Sequence, residues 1–352
     1  MLPLLRSPWL RPLNDLDAID DLLGQLHPTW ALGRIRARVA GIREETPEVR
    51  SVLLRPNRRW PGFAAGQHVC VGLELRGVRH QRTFSLSSAP GDRLLRITVK
   101  RQPGGLVTSA MHDQLAVGDV LELSPPAGDF VLPAVLPAKL LLLSAGSGIT
   151  PLASMLRHLR QRDPARDVVF VHVCRTPGDA IFAAELRALA AAMPGLRLET
   201  LCTRERGRLD ADALAALVPD AAERRTFLCG PASFMAMVQA RWEADGIADR
   251  LACERFTGPA IGPRVAGAPV QVRATRSGRA FTSTGERPLL VEAEGAGLAP
   301  RHGCRMGICR TCRCRLASGV VENLRTGEVH AQPGQLVQLC VSVARSDLEL
   351  EI

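Results

Sequence analysis

Four cysteines crowd the stretch HGCRMGICRTCRC, residues 302–314: Cys304, Cys309, Cys312 and Cys314. Four residues separate the first two, and two separate Cys309 from Cys312. A further thiol, Cys340, follows in QLVQLCVSV. This is the C-x4-C-x2-C…C arrangement of a plant-type [2Fe–2S] centre. Two sulfide-bridged irons need two thiolates each; a tight loop supplies three and a neighbouring strand the fourth. Gly303 and Gly307 let the loop backbone fold closely over the sulfides, where N–H groups can donate to them. Structural zinc is the competing reading. It favours two C-x2-C pairs or added histidines. Here there is one such pair, and His302 and His330 lack zinc-like spacing. Cys314 alternates with Arg313 and Arg315 in a strand-like run and reads as a packed thiol.

Two further constellations could hold flat or phosphorylated ligands. In RTFSLSS (82–88), an aromatic ring lies between Arg82 and Ser85. Such a ring can stack on a heterocycle while its neighbours fix polar atoms. After a strand, ITVKRQPGGLVTSAMHD (97–113) brings Gly104 and Gly105, which allow close backbone approach to a pyrophosphate, with Thr108 or Ser109 donating a hydroxyl. SAGSGITP (144–151) follows the apolar run LLLL and precedes a helical pattern. Gly146, Gly148 and Thr150 there would turn backbone N–H groups and a helix N-terminus towards a phosphate. Pro151 suits the first helical turn, where no N–H is needed. Later, FLCGPASFM supplies Cys229, Gly230 and Pro231 after another strand.

The order Arg-x-aromatic-Ser, Gly-Gly-x-x-Thr, Gly-x-Gly and Cys-Gly-Pro resembles the ferredoxin–NADP reductase superfamily. Residues 269–352 resemble a plant-type ferredoxin, and together the likeness spans about residues 32–352. It implies that Arg82 binds flavin phosphate, Phe84 stacks on the isoalloxazine and Ser85 sits near N5. Val99 and Lys100 would contact the ring or ribityl chain, and Gly105, Leu106, Val107 and Thr108 would cradle the pyrophosphate. Phe84 replaces the family's usual Tyr, which keeps stacking and loses a phenol hydrogen bond. Cys229 would lie near the nicotinamide C4. Glu254 and Phe256, in CERF, are read as covers of the flavin or nicotinamide. Thr203 and Arg204, with Arg208 behind and Arg175 on another strand end, favour NADPH over NADH. The glycine loop favours FAD, although one related group with this domain order uses FMN. The metal ligands would be Cys304, Cys309, Cys312 and Cys340. The resemblance thus implies a wire from NADPH through FAD to a [2Fe–2S] cluster, with Ser85 and Cys229 setting hydride geometry. The partner would be a terminal oxygenase or desaturase taking single electrons. PTWAL and RPNRRWPGFAAGQHV point first to a fatty-acid or acyl-CoA desaturase, then to an aromatic-ring dioxygenase or multicomponent monooxygenase. A flavin reductase with a zinc-binding interaction module is the reading of another class.

These groups need three scaffolds. Closely spaced short β patterns predict an antiparallel β-barrel flavin domain over 32–135. Alternating strands and helices predict a doubly wound α/β nicotinamide domain over 136–256. The Gly- and Pro-rich 257–268 reads as a linker, and 269–352 as an α+β, β-grasp ferredoxin domain. Residues 1–31 form a helical extension, with Leu13, Leu16, Ile19, Leu22, Leu23 and Leu26 on a stripe expected to pack on the protein itself. The 46% hydrophobic and 23% charged composition suits an ordinary folded chain. No apolar run reaches the ~18–20 residues of a membrane span, and MLPLLRSPWLRPL is too interrupted for a secretory signal. A cytoplasmic protein that is not itself transmembrane is expected. The net charge of +10 comes from dispersed arginines, only Lys100 and Lys139 being lysines, so nucleic acid is not expected as a partner.

Overall fold

Alternation of buried and exposed residues along Ile35–Thr46, Val49–Pro56 and Leu95–Lys100 makes each a strand with one face in a core. The computed structural model describes residues 16–75, 78–256, 267–303, 305, 307 and 311–352. Contacts divide the chain into two compact units: residues 1–80 with 84–256, and residues 81–83 with 257–352.

The first unit begins with a six-stranded sheet. Its strands are β1 (Ile35–Thr46), β2 (Val49–Pro56), β3 (His68–Leu75), β4 (Val78–Ser85), β5 (Leu95–Lys100) and β6 (Val120–Leu123). They lie in the order β4-β3-β6-β1-β2-β5. A bridge between Leu86 and Ile97 brings the end of β4 back to β5 and curls the sheet into a barrel. Val39, Val52, Leu54, Val69, Ile97 and Met111 fill it. The helix Leu106–Asp113 contributes Met111 and lies between β5 and β6 in the chain.

The same unit continues into five parallel strands: β7 (Lys139–Ala145), β8 (Asp167–Cys174), β9 (Leu196–Cys202), β10 (Arg225–Cys229) and β11 (Leu251–Glu254). Their order is β11-β10-β7-β8-β9, all parallel. The chain runs outward from β7 through β8 to β9, then returns to the other side of β7. That reversal puts a crevice beyond the carboxyl ends of β7 and β10, where open α/β sheets bind ligands.

A buried ion network joins these two sheets. Arg96 of β5 bonds Glu45 at 2.6 Å and Glu185 at 2.8 Å, and Arg157 reaches Glu185 at 2.6 Å and the Ser87 carbonyl. Both guanidinium groups lie over the Phe182 ring, 4.4 and 4.6 Å from its centre. Phe182 itself holds a left-handed φ of 61°. Burial alone would raise the Glu185 carboxyl, but Arg157 and Arg96 hold it down to about 2.

In the second unit, β12 (Val270–Ala274), β13 (Ala280–Ser283), β14 (Arg313–Ser318), β17 (Leu336–Gln338) and β19 (Leu348–Leu350) form a mixed sheet in the order β13-β12-β19-β14-β17. β15 (Val321–Asn323), β16 (Val329–His330) and β18 (Ser342–Ala344) form a smaller one. The helix Leu289–Gly295 seals the core with Leu289, Leu290 and Ala293. The architecture is the expected one of barrel, doubly wound domain and ferredoxin-type domain. Among the described residues no helix is long and apolar enough to cross a membrane.

The N-terminal helix Leu16–Leu26 departs from expectation. Leu13 lies outside the described residues, and Leu16, Leu22 and Leu26 are exposed. The buried residue is Asp20, whose carboxylate accepts the N–H groups of Leu32, Gly33 and Arg34. A polar clasp, invisible to a hydrophobic-periodicity argument, anchors the helix.

Arg96→Ala strands a buried Glu45 and leaves Glu185 half paired, so chemical denaturation should show a loss of about 3–5 kcal/mol. The depressed Glu185 carboxyl contributes stability that is complete above its ordinary value of 4.5 and is lost as pH falls towards 2. Glu185→Gln should flatten that acid limb of the melting-temperature profile.

Candidate functional site

The sheet reversal brings two loops together at backbone contact. Cys229 pairs with Ser144 across β10 and β7. A Cβ added at Gly148 would lie 2.2 Å from the Cys229 carbonyl oxygen and 2.7 Å from the Gly230 nitrogen, so no side chain fits there. The turn Gly146–Gly148 then leads into the helix Ile149–Arg162, whose first turn holds Thr150 and Pro151. Thr150 Oγ1 donates to the Ser147 carbonyl at 3.1 Å and tightens the turn.

Beside these loops lies a cleft of about 560 Å³. Five residues expected from the sequence line it: Lys100, Gly146, Arg175, Thr203 and Pro231. Gly146 has a φ of +54° and open space where a Cβ would be, as a backbone exposed to a ligand requires. Arg208 also lines the cleft and is exposed. Arg204 is exposed outside the lining, its backbone N–H donating to the Arg175 carbonyl at 3.0 Å. Arg175 is shared with Glu48 at 3.0 Å and Asp179 at 3.4 Å. Of the Thr203, Arg204 and Arg208 group read from the sequence, the structure places Thr203 and Arg208, not Arg204, in the cleft lining.

Behind the Gly148 contact, Cys229 is fully buried and burial pushes its thiol well above the ordinary range. Next to it in register stands Glu254 on β11. Burial raises the Glu254 carboxyl, and His68, whose Nδ1 lies 3.5 Å from Oε1, pulls it partly back. Ser85 Oγ, Glu254 Oε2 and His68 Nε2 are buried with no partner in good hydrogen-bond geometry, though Ser85, like His68, lies close enough to pull the Glu254 carboxyl down. A cluster of buried polar groups with spare hydrogen-bonding capacity fits the polar edge of a bound heterocycle. His68 was not singled out from the sequence. Its only local sign is a histidine among the apolar residues of QHVCV.

The remaining flavin candidates divide by burial. Phe84 is half-buried against the barrel core, and Val99 and Val107 are inside it. Only the Val99 backbone is available to a ligand, and its carbonyl already accepts from His112 Nε2 at 2.9 Å. Leu106 is exposed. Gly105 caps the helix Leu106–Asp113 without a side chain, leaving its first N–H groups open. Thr108 Oγ1 donates to the Gly105 carbonyl and accepts from Gln102 N–H, fixing the loop. Arg82 donates to the Gln81 carbonyl at 2.7 Å. Phe256, at the end of the unit, packs against the nucleotide-sheet core.

In the second unit, Cys304 and Cys309 lie outside the described residues. Cys312 and Cys340 are 2% and 4% exposed, as thiolates shielded from water would be. Gly307 N–H donates to Cys340 Sγ at 3.2 Å, and Cys340 N–H to Cys312 Sγ at 3.5 Å. Such donation favours thiolates that carry the negative charge of an iron–sulfur centre. Gly307 has a φ of +71°, and a Cβ there would press on Val341 and Arg325. Cys314 packs inside the apolar core.

Comparison with known proteins agrees with this division. Residues 44–132 match an oxidoreductase FAD-binding domain, 142–240 an oxidoreductase NAD-binding domain, and 272–345 a 2Fe-2S iron-sulfur cluster binding domain. An NADPH oxidoreductase of Mycobacterium tuberculosis is 40% identical, over 95% of this chain and 88% of that one. A glycine betaine monooxygenase reductase subunit of Chromohalobacter salexigens is 31% identical, over 92% and 96%. The structure of phthalate dioxygenase reductase superposes with a TM-score of 0.65 at 25% identity, over 91% of this chain and 98% of that one. The third domain match leaves the zinc reading without support.

The raised Glu254 carboxyl stabilises the fold fully below its ordinary value of 4.5 and loses that contribution as pH rises towards the folded value. Glu254→Gln should therefore match the parent in melting temperature near pH 4 and exceed it at neutral pH. A gap that stays constant with pH would contradict the placement of an ionisable Glu254 in this pocket.

Proposed function

The chain belongs to the ferredoxin–NADP reductase-type oxidoreductases that carry FAD-, NAD- and 2Fe-2S-binding domains, and we propose that it draws on NADPH and serves a membrane desaturase. As a member it is an NAD(P)H-dependent reductase that passes electrons through FAD to a 2Fe-2S cluster. FAD takes the pair delivered by a nicotinamide and can release electrons singly to a cluster.

The protein's share is placement. Phe84 and Ser85 would hold the isoalloxazine, with Arg82 and the Gly105–Thr108 turn on its phosphates. Gly146, Gly148 and the Cys229–Pro231 turn would seat the dinucleotide so that its nicotinamide meets the flavin near Ser85 and Cys229. Cys304, Cys309, Cys312 and Cys340 would ligate the cluster. Domain limits at 32–135, 136–256 and 269–352 belong to the same proposal.

The observation that carries NADPH is the cleft wall, where Thr203, Arg175 and Arg208 converge. Losing one charge-assisted hydrogen bond to a 2′-phosphate costs about 1.5–3 kcal/mol. Arg208→Ala should therefore raise KM for NADPH roughly 10- to 100-fold while KM for NADH stays within about twofold. Anaerobic titration of the parent should bleach the flavin and raise a rhombic reduced-cluster EPR signal with less NADPH than NADH. In Cys309→Ser the flavin should still bleach while that signal disappears. Equal titration by both nucleotides, unaffected by Arg208→Ala, would remove the NADPH assignment.

The desaturase reading rests on the N-terminal phrases PTWAL and RPNRRWPGFAAGQHV. A second observation bears on the partner's chemistry. Residues 301–315 hold five arginines and no acid. The matching face should be acidic or apolar; with an acidic one, electron transfer should slow as salt rises from low ionic strength to about 0.5 M. Reconstitution with a membrane fatty-acyl desaturase should support NADPH-driven double-bond formation. Turnover only with a soluble ring-hydroxylating oxygenase would move the assignment to that class.

A further inference from the structure

β8 and β9 end together. Cys174 and Cys202 are directly paired residues of these parallel strands. Neighbouring strands run about 4.8 Å apart, within the Cα separations that disulfides span. The two sulfurs lie 3.5 Å from each other, and both residues are free thiols. Ala180 and Ala183 surround them, so small side chains leave the thiols room to rotate. A bond near 2.05 Å needs the sulfurs to close by roughly 1.5 Å, within reach of χ1 rotation and a small strand shift.

Their position gives the pair a consequence. Cys174 lines the cleft. The next residue on each strand, Arg175 and Thr203, lines it as well. Arg204 N–H already ties to the Arg175 carbonyl, so the two strand ends move as one. A ligand in the cleft covers Cys174, and a bond between the sulfurs shifts the residues that meet that ligand.

We propose that Cys174 and Cys202 are a redox-modifiable pair that closes into a disulfide at the dinucleotide cleft, in competition with bound dinucleotide. The inference rests on the reading of this cleft as the dinucleotide site. The oxidant is a low-molecular-weight disulfide. One thiolate attacks it and releases one thiol; the second thiolate displaces the other. Two S–H bonds and one S–S bond are lost, and one protein S–S bond and two small-molecule S–H bonds form. Burial and the neighbouring Cys202 push the Cys174 thiol up to about 12, so the reaction quickens with alkaline pH. Linkage requires reciprocity: if dinucleotide blocks closure, closure weakens dinucleotide binding by the same factor.

The test uses the full-length holoprotein, anaerobic, with oxidised glutathione at pH 8.5. Cys174 and Cys202 fall on separate tryptic peptides, 167–175 and 198–204. The expected product is those two peptides joined, two hydrogens lighter than their sum. Saturating NADP+ should slow its formation several-fold. The oxidised protein should show a several-fold higher KM for NADPH, restored by dithiothreitol, and Cys202→Ser should show no such shift on the same treatment. Glutathione added to either cysteine without linkage would overturn the pair. Linkage at one rate with NADP+, with NAD+ and without nucleotide would overturn its coupling to the cleft. Protection by NAD+ but not NADP+ would uphold the pair and reject the NADPH assignment instead.

Discussion

The meeting of two loops at Gly148 constrains everything around the nucleotide cleft. The Gly146–Gly148 turn rests on the Cys229–Gly230 backbone so closely that a single methyl would collide with a carbonyl oxygen. That contact is possible only because β7 and β10 are neighbours although the chain visits β8 and β9 between them. Beside it lie the crevice and the open face of Gly146. A bulkier residue at Gly148 would separate the loops and dismantle the site without touching a ligand-contacting side chain.

The ion network across Arg96, Glu45, Glu185 and Arg157 serves the same end from the barrel side. Hydride transfer depends on reacting atoms held near 3–3.5 Å. A barrel free to rock against the nucleotide sheet would lose that geometry. Two buried guanidinium groups over Phe182, both bonded to Glu185, resist sliding because any displacement leaves a charge unpaired in an apolar setting. Such networks add little net stability over a well-packed apolar core. Their contribution here is a fixed register between two sheets.

Much of this was legible in the sequence because local backbone chemistry carried it. Gly-x-Gly after an apolar run, Cys-Gly-Pro after a later strand and the cysteine spacing each describe a turn whose conformation depends on a few adjacent residues. The alternation of strands and helices likewise disclosed the parallel sheet. His68 beside Glu254 was not legible. Their separation is 186 residues, and neither lies in a pattern that names the other. Arg208 was overshadowed by Arg204 for a similar reason: sequence proximity to Thr203 does not say which arginine the Thr203–Arg206 turn directs into the cleft. Asp20 inverted the expected orientation of the first helix because three backbone N–H groups outweigh a leucine stripe, and turns 12 to 14 residues away cannot be seen in a helical periodicity.

The cleft of the first unit is lined by both signs of charge. Arg175, Arg208 and Lys100 stand in the wall beside the carboxylates Glu48, Asp179 and Asp210, and Glu48 pairs with both Arg175 and Lys100. Behind the loops that border the cleft, burial lifts both Cys229 and Glu254 towards their protonated forms. An ionised thiolate or carboxylate there would oppose the electron density that arrives with a hydride, and a strong base would invite proton loss that the reaction does not use. Burial moves both groups away from those charged forms, with His68 offsetting part of the effect on Glu254. The same low polarity that raises them would also strengthen any hydrogen bond from Ser85 to a flavin edge. On the proposed reading, nucleotide choice would fall to Arg208 and Thr203 in the cleft wall and hydride geometry to Ser85 and Cys229, buried behind the Gly148 contact.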